Sequence, residues 1–463
     1  MAIDASRLDP IFKAYDIRGT VPDQLDAGIV EAVGGAFAVF ARSDAAERGT
    51  TCERILIGHD MRPSGPEFAE AFARGVNAQG VDAVHLGLCS TDEVFFAAGH
   101  LDAPAAQLTA SHNPAEYNGI KLCLSGARPV GEDSGLAQIK ADVIEGLPPA
   151  ATTGTTSEHD VLADFVAHVH SFVDVHALTP LKVVADTANG MGGLVAPAVF
   201  ADLPFEVEIM YGELDGTFPN HEANPIQPEN LVDLQARVRE TGADIGLAFD
   251  GDADRVFLVD DQGALVSGSL TTTIVAKVML DKNPHATILY NLICSKAAPE
   301  VIMENGGTAV RTRVGHSLIK KVMADTGAAF GGEHSGHYYF RDNYRADSGI
   351  IAALVVLELL CTSGQKLSEL RKPYERYSAS GEINTKVADP HAVIEAVAAH
   401  YAAADPANGL DRLDGLTVEL SDWWFNLRPS NTEPLLRLNL EAATPAEVDA
   451  HVAEVRALIA EHG

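Results

Sequence analysis

Asp250-Gly251-Asp252-Ala253-Asp254-Arg255 sets three carboxylates at alternate positions with small residues between them. Hard oxygen donors can then converge on one point. Magnesium prefers carboxylate and phosphate oxygens in near-octahedral geometry, and three aspartates leave room for a phosphate oxygen and water. An EF-hand calcium loop needs a distal Glu that this spacing lacks; a solvated acidic turn is the competing reading. Thr109-Ala110-Ser111-His112-Asn113-Pro114 puts a hydroxyl in a loop beside an imidazole and a proline of fixed φ. Ser111 reads either as a positioned nucleophile or as a turn-capping serine. In Tyr117-Asn118-Gly119-Ile120-Lys121 an Asn-Gly turn can return Lys121 to the side of Ser111.

Two further segments suit recognition. Gly331-Gly332-Glu333-His334-Ser335-Gly336-His337 mixes glycine, carboxylate, imidazole and hydroxyl. Sugar hydroxyls need such paired donors and acceptors, although a plain structural turn has the same composition. Arg428-Pro429-Ser430-Asn431-Thr432-Glu433-Pro434 combines a guanidinium with hydroxyls, an amide and backbone N–H groups. It is either a dianion-binding kit or an Asx or helix-capping turn.

The elements around these segments read as repeated α/β layers. Strands are expected at Arg54–His59, Val81–Gly87, Ala105–Ala110 and Ile120–Leu124, with a helix from Pro66 to Gly80 carrying Phe68, Phe72 and Val76 on one face. The second pair of chemistry-bearing strands brackets the Ser111 loop. Further strands are expected at Leu181–Asp186, Asp244–Phe249, Thr287–Leu292 and Thr308–Thr312, with helices at Asn230–Gly242 and Gly349–Arg371. A Pro/Ala/Thr/Gly-rich stretch from Leu147 to Thr156 marks a first boundary, and the chain changes character after Arg371–Arg376. The expected units are residues 1–155, 156–262, 263–373 and 374–463.

At 463 residues the chain is too long for one ordinary core, and 46% hydrophobic with 21% charged residues suits a folded multidomain protein. A formal charge of −32 argues against nucleic acid and anionic membrane as partners, so an anionic substrate needs a local positive pocket. Cys52, Cys89, Cys123, Cys294 and Cys361 form no CxxC pair, which predicts neither zinc nor a disulfide framework and fits a reducing cytosol. The start MAIDASRLDP has no basic, apolar export pattern. The apolar run Ile350–Cys361 is too short for a bilayer span and reads as a buried helix.

Taken together and in this order, the serine, acidic, GEHSGH and RPSNTEP segments resemble the α-D-phosphohexomutase superfamily, especially its bacterial phosphomannomutase/phosphoglucomutase enzymes, over essentially the whole chain. Tyr15-Asp16-Ile17-Arg18-Gly19 and Gly58-His59-Asp60-Met61-Arg62-Pro63-Ser64 are similar to two more of its motifs. The resemblance implies three related mixed α/β domains and a smaller C-terminal α+β domain of TATA-binding-protein-like type around a central cleft. It implies that Ser111 is carried as phosphoserine, that its phosphate and Asp250, Asp252 and Asp254 bind Mg2+, and that the reaction passes through a hexose 1,6-bisphosphate. Lys121 and His337 become the implied acid/base pair, with Arg18 and Arg255 stabilising charge on the moving phosphoryl group. Glu333, Ser335 and His316 would meet sugar hydroxyls, and Arg428, Ser430, Asn431 and Thr432 the distal phosphate. One departure stands out: Ile293 occupies a position where related enzymes often carry lysine, with Lys296 one turn on.

The Glu333-His334-Ser335 sequence resembles mannose/glucose-phosphate mutases more than phosphoglucosamine mutases, so the expected reaction interconverts mannose 1-phosphate and mannose 6-phosphate, with glucose phosphates as further substrates. Phosphoglucomutase and phosphoglucosamine mutase are the alternatives within the class. A magnesium-dependent sugar phosphatase is the rival enzyme. A non-catalytic sugar-phosphate sensor would have little use for Ser111, Lys121 and three aspartates. Nothing in the sequence fixes the oligomeric state.

Overall fold

The computed structural model describes residues 3–404, 409–429 and 435–463. Three of its sheets share one plan. In the first, Asp82–Leu88, Arg54–His59 and Ala105–Leu108 run parallel as neighbours, and Tyr117–Leu124 then joins antiparallel beside Ala105–Leu108. In the second, Glu206–Met210, Lys182–Asp186 and Ile245–Phe249 are followed by antiparallel Val256–Asp260. In the third, Thr308–Thr312, Thr287–Asn291 and Phe330–Gly332 are followed by antiparallel Tyr338–Phe340. Central strands such as Ile245–Phe249 are buried along their whole length, which is why they read as continuous apolar runs rather than alternating ones.

In each of these three sheets the last parallel strand is followed by a reversal into its antiparallel partner. Each reversal carries one of the chemistry-bearing segments. The pairs Leu108↔Ile120, Phe249↔Val256 and Gly332↔Tyr338 close hairpins around Ser111, the three aspartates and Glu333–His337 respectively. Parallel strands point the same ends one way, so the equivalent loops emerge at equivalent ends.

The fourth sheet is antiparallel throughout, ordered Ser378–Lys386, Leu435–Ala442, Trp424–Pro429, Leu416–Glu419, Gly409–Asp411. Its Phe425, Leu427, Leu436, Leu438 and Leu440 side chains pack with the helices Pro390–Ala404 and Pro445–His462. The second and third units share one core with Phe96 of the first. The molecule is therefore the expected four-domain α/β architecture around a cleft.

One strand extends the first sheet, and one expected helix needs correction. Thr156–Glu158 pairs parallel with Asp82–Leu88, so the first sheet runs past the expected boundary at residue 155. The Asp82 carboxylate accepts from Thr155 N and Oγ1 at 2.6 and 2.8 Å and draws the crossing segment back to the sheet edge. The helix expected from Gly349 to Arg371 ends at Ser363, where Gly364 takes the left-handed φ of 62°. A short helix, Leu367–Leu370, follows after the turn. Among the described residues no single helix is long and apolar enough to cross a membrane.

Candidate active site

Ser111 sits at φ 52°, fully buried, in a loop held from behind by Arg62. That guanidinium is 1% exposed and donates to the carbonyls of Ser111, Asn113, Pro114 and Tyr117 at 2.7 to 3.0 Å, while Asp60 balances its charge at 3.2 Å. Asp60 also accepts from Thr109 Oγ1, which accepts from the Ser111 amide at 2.9 Å. The strained serine is thus fixed by a buried polar scaffold. Arg18 donates to Asn113 and to Asp16 on the outer side of the same loop.

The acidic hairpin packs directly onto this loop. A Cβ at Gly251 would stand 2.4 Å from the Ser111 carbonyl oxygen, so only glycine permits the approach. Ser111 Oγ donates to Asp250 Oδ2 at 2.9 Å and lies 3.2 Å from His112 Nδ1. Asp250, Asp252 and Asp254 offer carboxylate oxygens that all lie within 4.8 Å of one another, and each residue is at most 1% exposed. Lys121 Nζ bridges Asp252 and Asp254, 2.7 Å from each. Burial opposes its charge, but the two aspartates outweigh burial and hold the ammonium above the usual lysine range. Burial, then Asp252 and Asp254, pushes the Asp250 carboxyl well up.

Such a cluster fits a divalent cation on the geometry of its own donors. Asp252 Oδ1 and Asp254 Oδ1 are buried without a hydrogen-bond partner, and buried oxygens of this kind are costly unless something satisfies them. The set is all oxygen, with Ser111 Oγ adjoining, which suits a hard ion such as magnesium. Thr91, at the N-terminus of the helix Thr91–His100, supports the cluster by donating to Asp252 Oδ2 at 2.5 Å.

Arg255 links the acidic hairpin to the Glu333–His337 hairpin. Its Nε donates to His337 Nε2 at 3.2 Å and lies 3.4 Å from Asp250, and its Nη2 donates to His112 Nδ1 at 2.9 Å. Burial, then the Arg255 and Arg18 charges, holds His112 well below the usual histidine range, so it is neutral. His337 Nδ1 lies 3.0 Å from Ser335 Oγ, and its Nε2 lies 3.6 Å from Asp254 and 3.8 Å from Asp347. Asp347 pairs with the buried Lys320 at 2.7 Å. Glu333 is 2% exposed and accepts from Tyr339, the Gly315 amide and Asn291.

A cleft of about 870 Å³ connects these groups to the fourth sheet, lined by His112 and Arg255 at one end and by Ser335, Arg428 and Glu382 toward the other. Arg428 donates to Glu382 at 2.8 Å, and directly across the strand pair from it stands Arg437, 3.4 Å from the same carboxylate. Ile293 lines the cleft as well, whereas the Lys296 amide is engaged with Glu441 as the helix Ala297–Glu304 begins. His316 is the first residue of the helix His316–Thr326. Ser430, Asn431 and Thr432 lie outside the described residues.

Sequence reasoning assigned Asp60 and Arg62 only to a pattern and had no signal for Thr91, Tyr339, Lys320 or Asp347. Thr91 meets Asp252 of another sheet across 161 residues, whereas Lys320 with Asp347 and Tyr339 with Glu333 meet inside the third unit only once it has folded, so no local pattern announces these contacts.

With this geometry in view, the comparisons are consistent throughout. Models of the family "Phosphoglucomutase/phosphomannomutase" match its alpha/beta/alpha domains I, II and III at residues 9–146, 163–263 and 267–377, and its C-terminal domain at 382–458. Phosphohexose mutases of Xanthomonas campestris are 40% identical over 437 residues, spanning 93% of this chain and 95% of theirs. The phosphomannomutase of Salmonella montevideo is 40% identical over 441 residues, 93% of this chain and 94% of its own. The crystal structure of a phosphoglucomutase/phosphomannomutase family protein from Burkholderia thailandensis superposes with a TM-score of 0.87 at 31% identity, covering 99% of this chain and 98% of that one. The chain belongs to the phosphoglucomutase/phosphomannomutase family of the α-D-phosphohexomutase superfamily. It is an enzyme, an intramolecular phosphotransferase of the phosphohexomutase type acting on hexose phosphates.

Proposed function

We propose that the chain is a phosphomannomutase that interconverts mannose 1-phosphate and mannose 6-phosphate, and the glucose phosphates as well, through phosphoserine at Ser111 and a hexose 1,6-bisphosphate. The observation that carries this reading is the 2.9 Å contact of Ser111 Oγ with Asp250 inside a buried, all-oxygen acidic cluster. Asp250, Asp252, Asp254 and the phosphate on Ser111 would hold Mg2+, whose charge offsets that of the transferring phosphoryl group. Arg18 and Arg255 flank the same point and add positive charge where the transition state spreads negative charge over the equatorial oxygens.

The free hydroxyl of the sugar attacks phosphorus and passes its proton to His337, and the P–O bond to Ser111 breaks as the Lys121 ammonium donates to the departing Ser111 oxygen. The bisphosphate then turns through about half a turn, and Ser111 takes back the other phosphate. Glu333, Ser335 and His316 meet the sugar hydroxyls. Arg428, with Ser430, Asn431 and Thr432, grips whichever phosphate is not reacting. The mannose assignment is supported by relatives from Salmonella, Escherichia coli and Vibrio cholerae that are named phosphomannomutase. Free thiols at all five cysteines suit action in the cytosol.

The test supplies purified protein with magnesium, mannose 1-phosphate or glucose 1-phosphate and a trace of 1,6-bisphosphate, and follows the 6-phosphate. Ser111→Ala is expected to lose at least about a thousandfold in kcat, and intact mass should find one phosphoryl increment mapping to Ser111. Release of inorganic phosphate at the isomerisation rate would favour the phosphatase instead, and equal kcat/KM for the two sugars would remove the mannose assignment.

A further inference from the structure

Tyr339 is fully buried in the strand that leaves the sugar-loop hairpin, and cannot touch a ligand in the cleft. Its hydroxyl donates to Glu333 Oε2 at 2.7 Å. The other oxygen, Oε1, accepts from the Gly315 amide at 3.2 Å and from Asn291 Nδ2 at 3.4 Å, both longer bonds. The carboxylate is therefore pinned at both oxygens, with the shortest bond coming from the tyrosine. Without that hydroxyl, the next group facing Oε2 is His337 Nδ1 at 3.6 Å, a nitrogen that otherwise serves Ser335. The Tyr339 ring also lies nearly parallel to His337, 22° between planes and 6.2 Å between centroids. One buried side chain thus underlies both the acid and the imidazole of the loop.

We propose that Tyr339 is a positioning residue for the sugar subsite: its hydroxyl holds the Glu333 carboxylate in the orientation that receives a hexose hydroxyl and keeps it from pairing with His337. The inference rests on Glu333 being a sugar contact, as the reading above has it. The adjacent residue provides a matched control. Tyr338 points to the opposite side of the strand, into the shared core, where it stacks on Phe330 with centroids 6.5 Å apart. Removing either hydroxyl leaves the ring volume in place. Only one of the two reaches Glu333.

The experiment measures Kd for mannose 6-phosphate by titration calorimetry in Ser111→Ala protein, where no turnover intervenes. Adding Tyr339→Phe is expected to weaken binding about tenfold, the scale of one lost hydrogen bond to a charged group, while Tyr338→Phe leaves Kd unchanged. On a Glu333→Gln background Tyr339→Phe should add little further loss, since the two residues act as one unit. Inorganic phosphate, which needs only the Arg428 end, should bind all variants alike and so reports an intact cleft. An unchanged Kd in Tyr339→Phe, an equal loss in Tyr338→Phe, or full additivity with Glu333→Gln overturns the role of Tyr339 alone. Failure of the Ser111→Ala protein to bind mannose 6-phosphate while it still binds phosphate overturns the sugar-site reading and this inference with it.

Discussion

The two ends of the cleft are built on opposite principles. At the end proposed for phosphoryl transfer, Ser111, Lys121, Arg62 and the three aspartates are all buried, and loops from the first and second sheets interlock so closely that Gly251 has no space for a side chain. At the end proposed to hold the distal phosphate, Arg428 and Arg437 face each other across one strand pair, like charges tied by the single carboxylate of Glu382. The sheet that carries them meets the third unit partly through surface ion pairs, Arg311 with Glu419 at 2.9 Å and Arg376 with Glu300 at 2.9 Å. Phosphoryl transfer tolerates little misplacement, so its groups are locked into cores. Holding a phosphate and letting it go requires charge that is only partly satisfied, and Arg428, although itself only 9% exposed, keeps its Nε without a hydrogen-bond partner.

The contrast is broken most severely by removing the lock. Arg62→Ala would strip the buried Asp60 of its counter-ion and four loop carbonyls of their donor. The expected cost is about 3 to 5 kcal/mol, as for other buried pairs deprived of one partner, read from urea denaturation. A variant as stable as the wild type would mean that the Ser111 loop holds itself. Arg428→Ala probes the other end and should behave differently. Its loss leaves Glu382 with its second partner, Arg437, so stability should fall less than in the Arg62 variant, whereas KM should rise on the order of thirtyfold with kcat changed far less. A fall in kcat with KM intact would place Arg428 in the chemistry and erase the distinction.

How much of this is legible in the sequence also divides along that line. The chemistry-bearing segments can be read from residue type and spacing, because a carboxylate at every second position or a strand ending in Ser-His-Asn-Pro is a local pattern. Arg54–His59 and Thr308–Thr312 likewise declare themselves as strands through local composition. The lock does not. Lys121 meets Asp252 across 131 residues, and Thr91 meets it across 161; no window of sequence contains such pairs. The helix after Gly349 fails as one long element for a related reason. Its apolar periodicity resumes at Leu367 and Leu370, both buried, while a single glycine at 364 reverses the backbone between them. Periodicity reports which residues are buried, and it is silent on whether one straight axis carries them.

A further expected effect is a pH dependence confined to the locked end. Glu93 closes the capping box of the helix Thr91–His100, its carboxylate accepting from the Ser90 amide at 2.8 Å. Burial, only partly offset by the Ser90 hydrogen bonds and reinforced by Asp160, pushes this carboxyl up to about 7. In the unfolded chain it titrates near the ordinary glutamate value of about 4.3. Between those two values the native protein holds a proton that the unfolded chain has released, so the contribution is complete below about pH 4.3 and is lost as pH rises through about 7. Glu93→Gln retains an oxygen acceptor for the Ser90 amide but cannot ionise. Relative to that variant, the wild type is expected to lose about 2 to 3 kcal/mol of stability between about pH 5 and pH 8, measured by urea denaturation at each pH. Thr91, in the same first turn, supports Asp252, so the loss belongs to the transfer end; sulfate, a dianion across this range, should bind at Arg428 with no matching change. Parallel stability curves for the two proteins would show that burial of Glu93 costs nothing, and that the cap ionises as freely in the core as in water.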